Sequence, residues 1–488
     1  MSGHPAQDVR HVETDVAVVG GGPAGLTAAL VLARGGLRVT LIDESDTLGG
    51  QYYKRRAEPL AAAFGDFRPK GTALIREVRA AGVDCLTRTL VWGAEDDGRT
   101  LFTADARTGA AGQVHARATV VATGAFERTA PFPGWVLPGV VTPGFALHLA
   151  TMDRVPVGSR VVVAGTGPFL LPVACALLDV GARVEALLEL NHPYRPGFAA
   201  LGALRHPARL TEAAGYLLTL ARHGVRVEQG RRVLAAYGDD DRVRSVEIGP
   251  ADPAAGGATR RVDVDALCVG FGFRPSTELP RLLGCRTRVD AATGEELPEA
   301  GPDGATSVDG LYVVGECAGI AGVHAAQVRG ESAALAILRR FGGASGDGSP
   351  ATGDGRRLAA LRRRARSLDR FAELNQRLYP VPAGLTASLA DSTTVCRCEG
   401  ITAGEIRRAA ETGWNDLHGV KGATRAGMGP CQGRECGHVV AALAGQATGR
   451  PCGPASFAAR FPLKPVPVPT AMAAGRPAEP DATKGGTA

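Results

Sequence analysis

The stretch Asp15 to Gly25 reads DVAVVGGGPAG. Val16 to Val19 is apolar and β-branched, the pattern of a strand buried on both faces of a parallel sheet. It runs into Gly20-x-Gly22-x-x-Gly25 and then into an apolar helical pattern, Leu26 to Arg34. Gly20 permits the tight turn, Gly22 lets a pyrophosphate approach the backbone, and Gly25 lets helix and strand pack closely. The helix start adds free N–H groups and the positive end of its dipole. A glycine motif alone says little. Here a second strand, Arg38 to Ile42, follows and ends in Asp43, whose carboxylate can accept hydrogen bonds from an adenosine ribose. Glu44 is the neighbouring candidate for the same role.

The chain has 488 residues, 45% of them apolar, and a formal net charge of +6. That length suits about two to four domains. The mild positive charge fits nucleotide phosphates or an acidic partner, and does not by itself imply nucleic acid. The opening MSGHPAQDVRHVETD lacks the apolar core of a signal peptide. Thr129 to Met152, though uncharged for much of its length, carries Pro131, Pro133, Pro138 and Pro143 and reads as loop rather than a membrane span. A cytoplasmic protein is the expectation.

Further along, Leu48-Gly49-Gly50-Gln51 is a turn that could bring backbone against a flavin or phosphate. Strands are expected at Thr87 to Trp92, Thr100 to Asp105 and Val114 to Thr123, the last ending in Ala122-Thr123-Gly124. A second strand–turn–helix begins at Arg160, with Gly165-x-Gly167-x-x-Leu170 in place of a third glycine, and its next strand ends in Glu189. This second unit reads either as a site for a nicotinamide or adenine nucleotide, with Glu189 as ribose acceptor, or as scaffold. Leu201 to Arg222 reads as helix and Val262 to Val269 as one strand. Gly310 to Val314 leads to Gly315-Glu316, where an acidic residue can meet a flavin's ribitol hydroxyls. Two Rossmann-like α/β domains follow, the second inserted in the first. The first spans residues 1–152 and 281–341 and the second 153–280. The GGASGDGSPATGDG stretch sets a flexible linker over 342–356, with a helical connector over 357–394. Arg356 to Arg370 holds seven arginines, a docking face for a partner or a solvated helix face.

The informative cysteines are Cys396-x-Cys398 and, after thirty-two residues, Cys431-x4-Cys436. Four thiolates can hold a [2Fe–2S] cluster. Zinc is the competitor, but paired cysteines at zinc sites usually read CxxC, and neither pair does. Cys85, Cys175, Cys268, Cys285 and Cys317 read as small buried hydrophobes, and Cys452 lies outside the ligand spacing. The small cysteine domain is set at 395–450, and 451–488 reads as a Pro-rich tail.

These motifs carry a resemblance. CRCEGIT and GMGPCQGREC resemble the bacterioferritin-associated-ferredoxin-like (BFD-like), small helical [2Fe–2S] domain. GGGPAGLTAAL, LGGQ, ATGAFERTAPFPGWVLPGV and VGFGFRPSTEL resemble a pyridine-nucleotide-disulfide-oxidoreductase flavin module. The whole is similar to the α (A) subunits of opine oxidase and of proline and hydroxyproline dehydrogenases, and to the B subunit of hydrogen cyanide synthase. The resemblance implies FAD on Gly20, Gly22, Gly25, Asp43, Gly50, Gln51, Gly124, Gly315 and Glu316, and a [2Fe–2S] cluster on Cys396, Cys398, Cys431 and Cys436. It also implies a flavin-containing β subunit of the D-amino-acid-oxidase-like type that oxidises the amine substrate. This chain departs from the family pattern at Leu170 and at Glu316, where Asp is usual.

Two other functions compete with an electron-transfer subunit. One is a self-sufficient NAD(P)H-dependent reductase. A disulfide reductase of this fold needs a redox dithiol, and the chain holds no CxxC. The other is a redox-sensing or iron-handling cluster protein, against which the flavin apparatus argues. No catalytic acid, base or nucleophile stands out. His148, His192 and His324 read as structural.

Overall fold

In a computed structural model, residues 9–474 are described except 195–206, 240, 253–255, 292, 342–353, 387, 415, 451 and 453–456. The linker and the first part of the Leu201 to Arg222 helix therefore lie mostly outside the described residues. The rest of that helix forms, as Pro207–Arg222.

The opening stretch forms the strand Arg10–Val19, pairing in parallel with Val39–Ile42 on one side and Ala111–Val121 on the other. Asp84–Leu86 extends the sheet at one edge, and Leu311–Val313 returns from far along the chain to pair with Ala111–Val121. Thr100–Asp105 and Thr89–Glu95 complete it as an antiparallel hairpin. Helix Pro23–Arg34 packs on this sheet and against helix Val323–Phe341. The crossing is close because Gly330 has no side chain: a Cβ there would lie 2.3 Å from the Ala24 carbonyl oxygen.

The second unit is a parallel sheet ordered Val227–Gln229, Arg183–Glu189, Arg160–Gly165, Ala266–Gly270 and Val140–Val141. An antiparallel sheet of Arg231–Asp239, Arg242–Pro250 and Arg260–Asp263 packs on it. Val262 to Val269 is thus two strands in different sheets, not one. Asp265 divides them, its carboxylate accepting from the Ser159 and Arg160 N–H groups. The second sheet also takes Val140–Val141, upstream of the boundary expected at residue 153. Thr129 to Met152 is not all loop: Thr142 caps a helix, Pro143–His148, with Pro143 at its first turn. There its missing N–H costs nothing.

The cysteine domain packs helices Ala403–Glu411, Leu417–Thr424 and Gly437–Thr448 around an apolar core. Thr402 and Glu405 form a full capping box on the first of these. The arginine-rich segment forms helix Asp354–Leu378, whose Leu361, Ala365 and Leu368 pack against Val328 and Leu335. Described residues of the tail between 457 and 474 pack on the outer hairpin of the first sheet. Phe461 lies on Trp92 and Phe102, and helix Val468–Ala474 seats Ala473 and Ala474 against the same outer hairpin. Among the described residues no helix is long and apolar enough to cross a membrane.

Candidate functional site

The first glycine turn separates packing demand from ligand demand. Gly20 has φ +109°, and a Cβ there would stand 2.3 Å from the Ala122 carbonyl oxygen. At Gly25 it would stand 1.9 Å from the Gly20 carbonyl oxygen. At Gly22 it would meet nothing nearer than Gly50 Cα at 3.9 Å. The protein's own packing therefore requires Gly20 and Gly25, whereas Gly22 leaves a cradle that a Cβ would enter. Gly22 also N-caps helix Pro23–Arg34 with no side chain bonded to the first-turn N–H groups, which suits an anion. The residues fit the pyrophosphate of FAD.

Around that turn, Asp43 Oδ2 accepts from Gly21 N–H at 2.6 Å and Oδ1 from Ser45 N–H at 2.8 Å, so the carboxylate braces the loop. Gly49 N–H donates to the Gly21 carbonyl at 2.9 Å and lays the second glycine turn against the first. Gly50 is left-handed at φ +57°. Ala122 reaches Gly20, and Gly315 lies against Ala24, so both distant strand ends arrive at the same place. The Gly124 carbonyl (φ +75°) accepts from Ser276 N–H at 2.9 Å. The Glu316 carboxylate accepts from Ala321 and Gly322 N–H at 3.1 and 2.6 Å, and burial pushes its pKa up. Glu44 is exposed and paired to Lys464, and Gln51, next to Gly50, is exposed.

In the second unit, Gly165 is required by packing, since a Cβ would lie 1.7 Å from the Gly270 carbonyl oxygen. Gly167 has φ +119° and open space around it. Glu189 is buried and accepts from Thr166 Oγ1 (2.7 Å), Gly167 N–H (3.1 Å) and Asn191 N–H (2.9 Å). Helix Leu170–Asp179 begins at Leu170 itself and buries it.

The four cysteines fall into two pairs. Cys436 hydrogen-bonds Cys396 and, with the N–H groups of Gly427, Glu399 and Cys398, brings the Cys396 thiol down to about 6. Cys398 is raised by burial and lies within hydrogen-bond reach of Cys431. Gly429 makes room for this: a Cβ there would sit 2.1 Å from Cys398 Cβ. Among the described residues no three His, Cys, Asp or Glu side chains are grouped as the ligands of one metal ion. Cys436 also feels Cys431 and Cys398, so the four thiols face one another as the donor set of a [2Fe–2S] cluster does. Cys452 lies buried in the core of the domain. Cys268, Cys285 and Cys317 are buried singly elsewhere, and Cys85 and Cys175 are half-buried.

Sequence reasoning missed the junction that docks this domain. Arg274 makes a bidentate pair with Glu295 at 2.7 and 2.9 Å, both buried, and donates to the Arg434 carbonyl at 2.8 Å and to His438 Nδ1 at 3.1 Å. Arg434 pairs with Glu278 at 3.0 Å, and Trp135 Nε1 donates to the Thr394 carbonyl at 2.6 Å. The one sequence signal was FGFRPSTEL, which sets Arg274 and Glu278 directly after an apolar strand, where charges are out of place unless they have partners. His148, His192 and His324 assemble no catalytic group: His148 Nε2 is 3.7 Å from Asp153, His192 stacks over Gly230, and burial and the arginines nearby push His324 down.

Residues 14–330 match the pyridine nucleotide-disulphide oxidoreductase family, and residues 394–445 match the BFD-like [2Fe-2S] binding domain. The chain is 34% identical over 477 residues to the A subunit of opine oxidase from Rhizobium meliloti (strain 1021), covering 93% of this chain and 97% of that protein. It is 33% identical over 470 residues to the HcnB subunit of hydrogen cyanide synthase from Pseudomonas protegens, covering 92% and 96%. Its fold matches the crystal structure of L-proline dehydrogenase from P. horikoshii with a TM-score of 0.67 at 23% identity, covering 94% of this chain and 80% of that one. The chain belongs to the pyridine nucleotide-disulphide oxidoreductase family, as an FAD-dependent oxidoreductase that carries a BFD-like [2Fe-2S] domain at its C-terminal side.

Proposed function

We propose that the chain is the electron-transfer subunit of a heteromeric amino-acid or amine dehydrogenase or oxidase acting on opines, proline or hydroxyproline. One observation carries this: an FAD cradle and a four-cysteine domain are docked in one chain through a buried junction, with no CxxC dithiol in the sequence and no substrate-binding constellation among the described residues. The relatives, themselves named as subunits, support a partner. We assign that partner the D-amino-acid-oxidase-like type, with its own flavin and the amine site, and place the complex in the cytoplasm.

On this reading Gly22 lets FAD approach the backbone, and Gly20, Gly25, Gly50, Gly124 and Gly315 shape the FAD site around it. Asp43 and Glu316 face its ribose and ribitol. Cys396, Cys398, Cys431 and Cys436 hold the cluster. The inserted domain begins by Val140, ahead of residue 153, and runs to 280; the cluster domain runs from 395 past 450 to take in Cys452; the flavin domain is the rest of 1–152 with 281–341. Bound FAD and cluster together convert two-electron to one-electron transfer. The chain's own residues hold and separate them: the Gly22 turn and helix dipole bind the anion, and Arg274 and His438 fix the cysteine domain on the flavin side.

The test is dye reduction by proline, hydroxyproline, sarcosine and opines, with and without the protein encoded beside this one. Turnover is expected only with the partner. Full turnover by the chain alone would reject the subunit reading. Flavin reduction by NADPH or NADH without any partner would favour the self-sufficient reductase.

A further inference from the structure

The second nucleotide-type unit keeps its glycine turn, yet the crevice beside that turn holds something else. In an open parallel sheet, ligands bind outside the carboxyl ends of the strands where strand order reverses. Here that point lies between Arg160–Gly165, which runs into Gly165-x-Gly167, and Ala266–Gly270. Flanking it, Leu190 follows directly on strand Arg183–Glu189, and Phe271 follows directly on Ala266–Gly270. Val381 and Leu385 pack against the cluster that these two form with Ala130. They come from the segment between helix Asp354–Leu378 and the cysteine domain, more than a hundred residues away in sequence.

Polar contacts fix the same segment. Asn191 Nδ2 donates to the Pro380 carbonyl at 2.9 Å. Tyr379 and Tyr194 hydrogen-bond through their phenols. Glu189, at the strand end, is buried and takes donors from Thr166 and Gly167 and the Asn191 N–H, so it is held on the side that Asn191 shares with the connector. Asn191 thus ties the strand-end carboxylate and the connector into one arrangement. The glycine turn itself stays open, since a Gly167 Cβ would meet nothing within 4 Å, so the connector fills the crevice beyond the turn and not the turn.

We propose that the connector Tyr379–Leu385 is an internal occupant of the second nucleotide crevice, and that Asn191 and Tyr379 are the specificity-determining residues that deny it to nicotinamide and adenine nucleotides. The flavin then receives its electrons from a donor other than NADH or NADPH. This goes beyond the subunit reading and does not depend on it, since it concerns only what the inserted domain admits.

The experiment uses the full chain with its cofactors. NADH, NADPH and ATP are titrated by calorimetry, and hydrogen exchange is followed over residues 379–385. The wild type should show no saturable binding into the millimolar range, with the connector amides protected. The Asn191→Ala/Tyr379→Ala variant should lose that protection and bind at least one of the three nucleotides at least tenfold more tightly. A Val381→Gly/Leu385→Gly variant, which removes the apolar anchor instead, should do the same and serves where the first does not fold. Saturable binding to the wild type, or an exposed connector with no gain in binding, would overturn the proposal. Neither result bears on partner-dependent amine turnover.

Discussion

His438 Nε2 lies 2.8 Å from the carbonyl oxygen of Thr129, five residues beyond Gly124 and across the boundary between the flavin and cysteine domains. A carbonyl only accepts, so Nε2 carries the proton. Nδ1 faces the Arg274 guanidinium, which only donates, so Nδ1 is bare. Burial first, then Arg274 and Arg128, hold the ring neutral. The ring is two residues from Cys436, so this bond ties the cysteine domain to the flavin side.

Arg274→Met should therefore damage more than one contact. It leaves Glu295 buried with only Arg128, 3.4 Å away, and frees His438 and the Arg434 carbonyl. Breaking one side of a buried pair costs about 3–5 kcal/mol. Calorimetry should show a lowered transition with iron and FAD contents retained at low temperature. A variant as stable as the wild type would show that the junction does not support the docking.

Gly22→Val should fold and lose FAD, because its side chain enters space that the protein leaves open. Gly25→Ala should instead destabilise the domain, since the new methyl would sit 1.9 Å from the Gly20 carbonyl oxygen. Flavin absorbance per chain, set beside circular dichroism, distinguishes the two. A folded Gly22→Val with full flavin would remove the cradle assignment.

Cys431→Ser should lose iron while keeping most of its FAD. A flexible linker by itself predicts a module with few contacts to its neighbour. The junction through Trp135, Arg274, Arg434 and His438 contradicts that, so the variant should also unfold at lower temperature and become more open to protease around the cysteine domain. Iron and flavin assays on the same sample check it, and unchanged iron would exclude Cys431 as a ligand.

Glu127 offers a pH test. Burial raises its pKa, although Thr142 and Gly144 N–H (2.7 Å) hydrogen-bond the carboxylate. An acid raised on folding binds its proton more tightly in the folded state. Its ionisation thus subtracts stability as pH rises from the ordinary carboxylate value through the raised one. Glu127→Gln cannot ionise, so its melting temperature relative to wild type should be higher at pH 8 than at pH 5. No change in that difference would mean that Glu127 ionises without cost.

What could be read from the sequence is what is local. The first strand, turn and helix lie within twenty-five consecutive residues, and each glycine's role depends on its immediate neighbours. The cysteine spacing was legible for the same reason. The Arg274–Glu295–His438 junction was not, because its members are brought together only by the docking of two domains. Val262 to Val269 read as one strand because its β-branched alternation runs on into the apolar residues after Asp265, and only the bonds of Asp265 to Ser159 and Arg160 show where the chain changes sheet. The Pro-rich composition of 451–488 carries no sign of where the segment docks, yet Phe461 finds a slot at Gly93, where a Cβ would lie 1.9 Å from its ring.

That slot bears on how the protein is made. Phe461, Leu463 and Ala474 complete the outer face of a sheet whose first strand is Arg10–Val19, and Leu311–Val313 fills another place in it. A ribosome finishes the first strand long before it delivers these residues. The flavin half must wait with the outer face of its hairpin uncovered, and emergence of residues 461–474, not of the glycine turn, sets the moment at which its core can close.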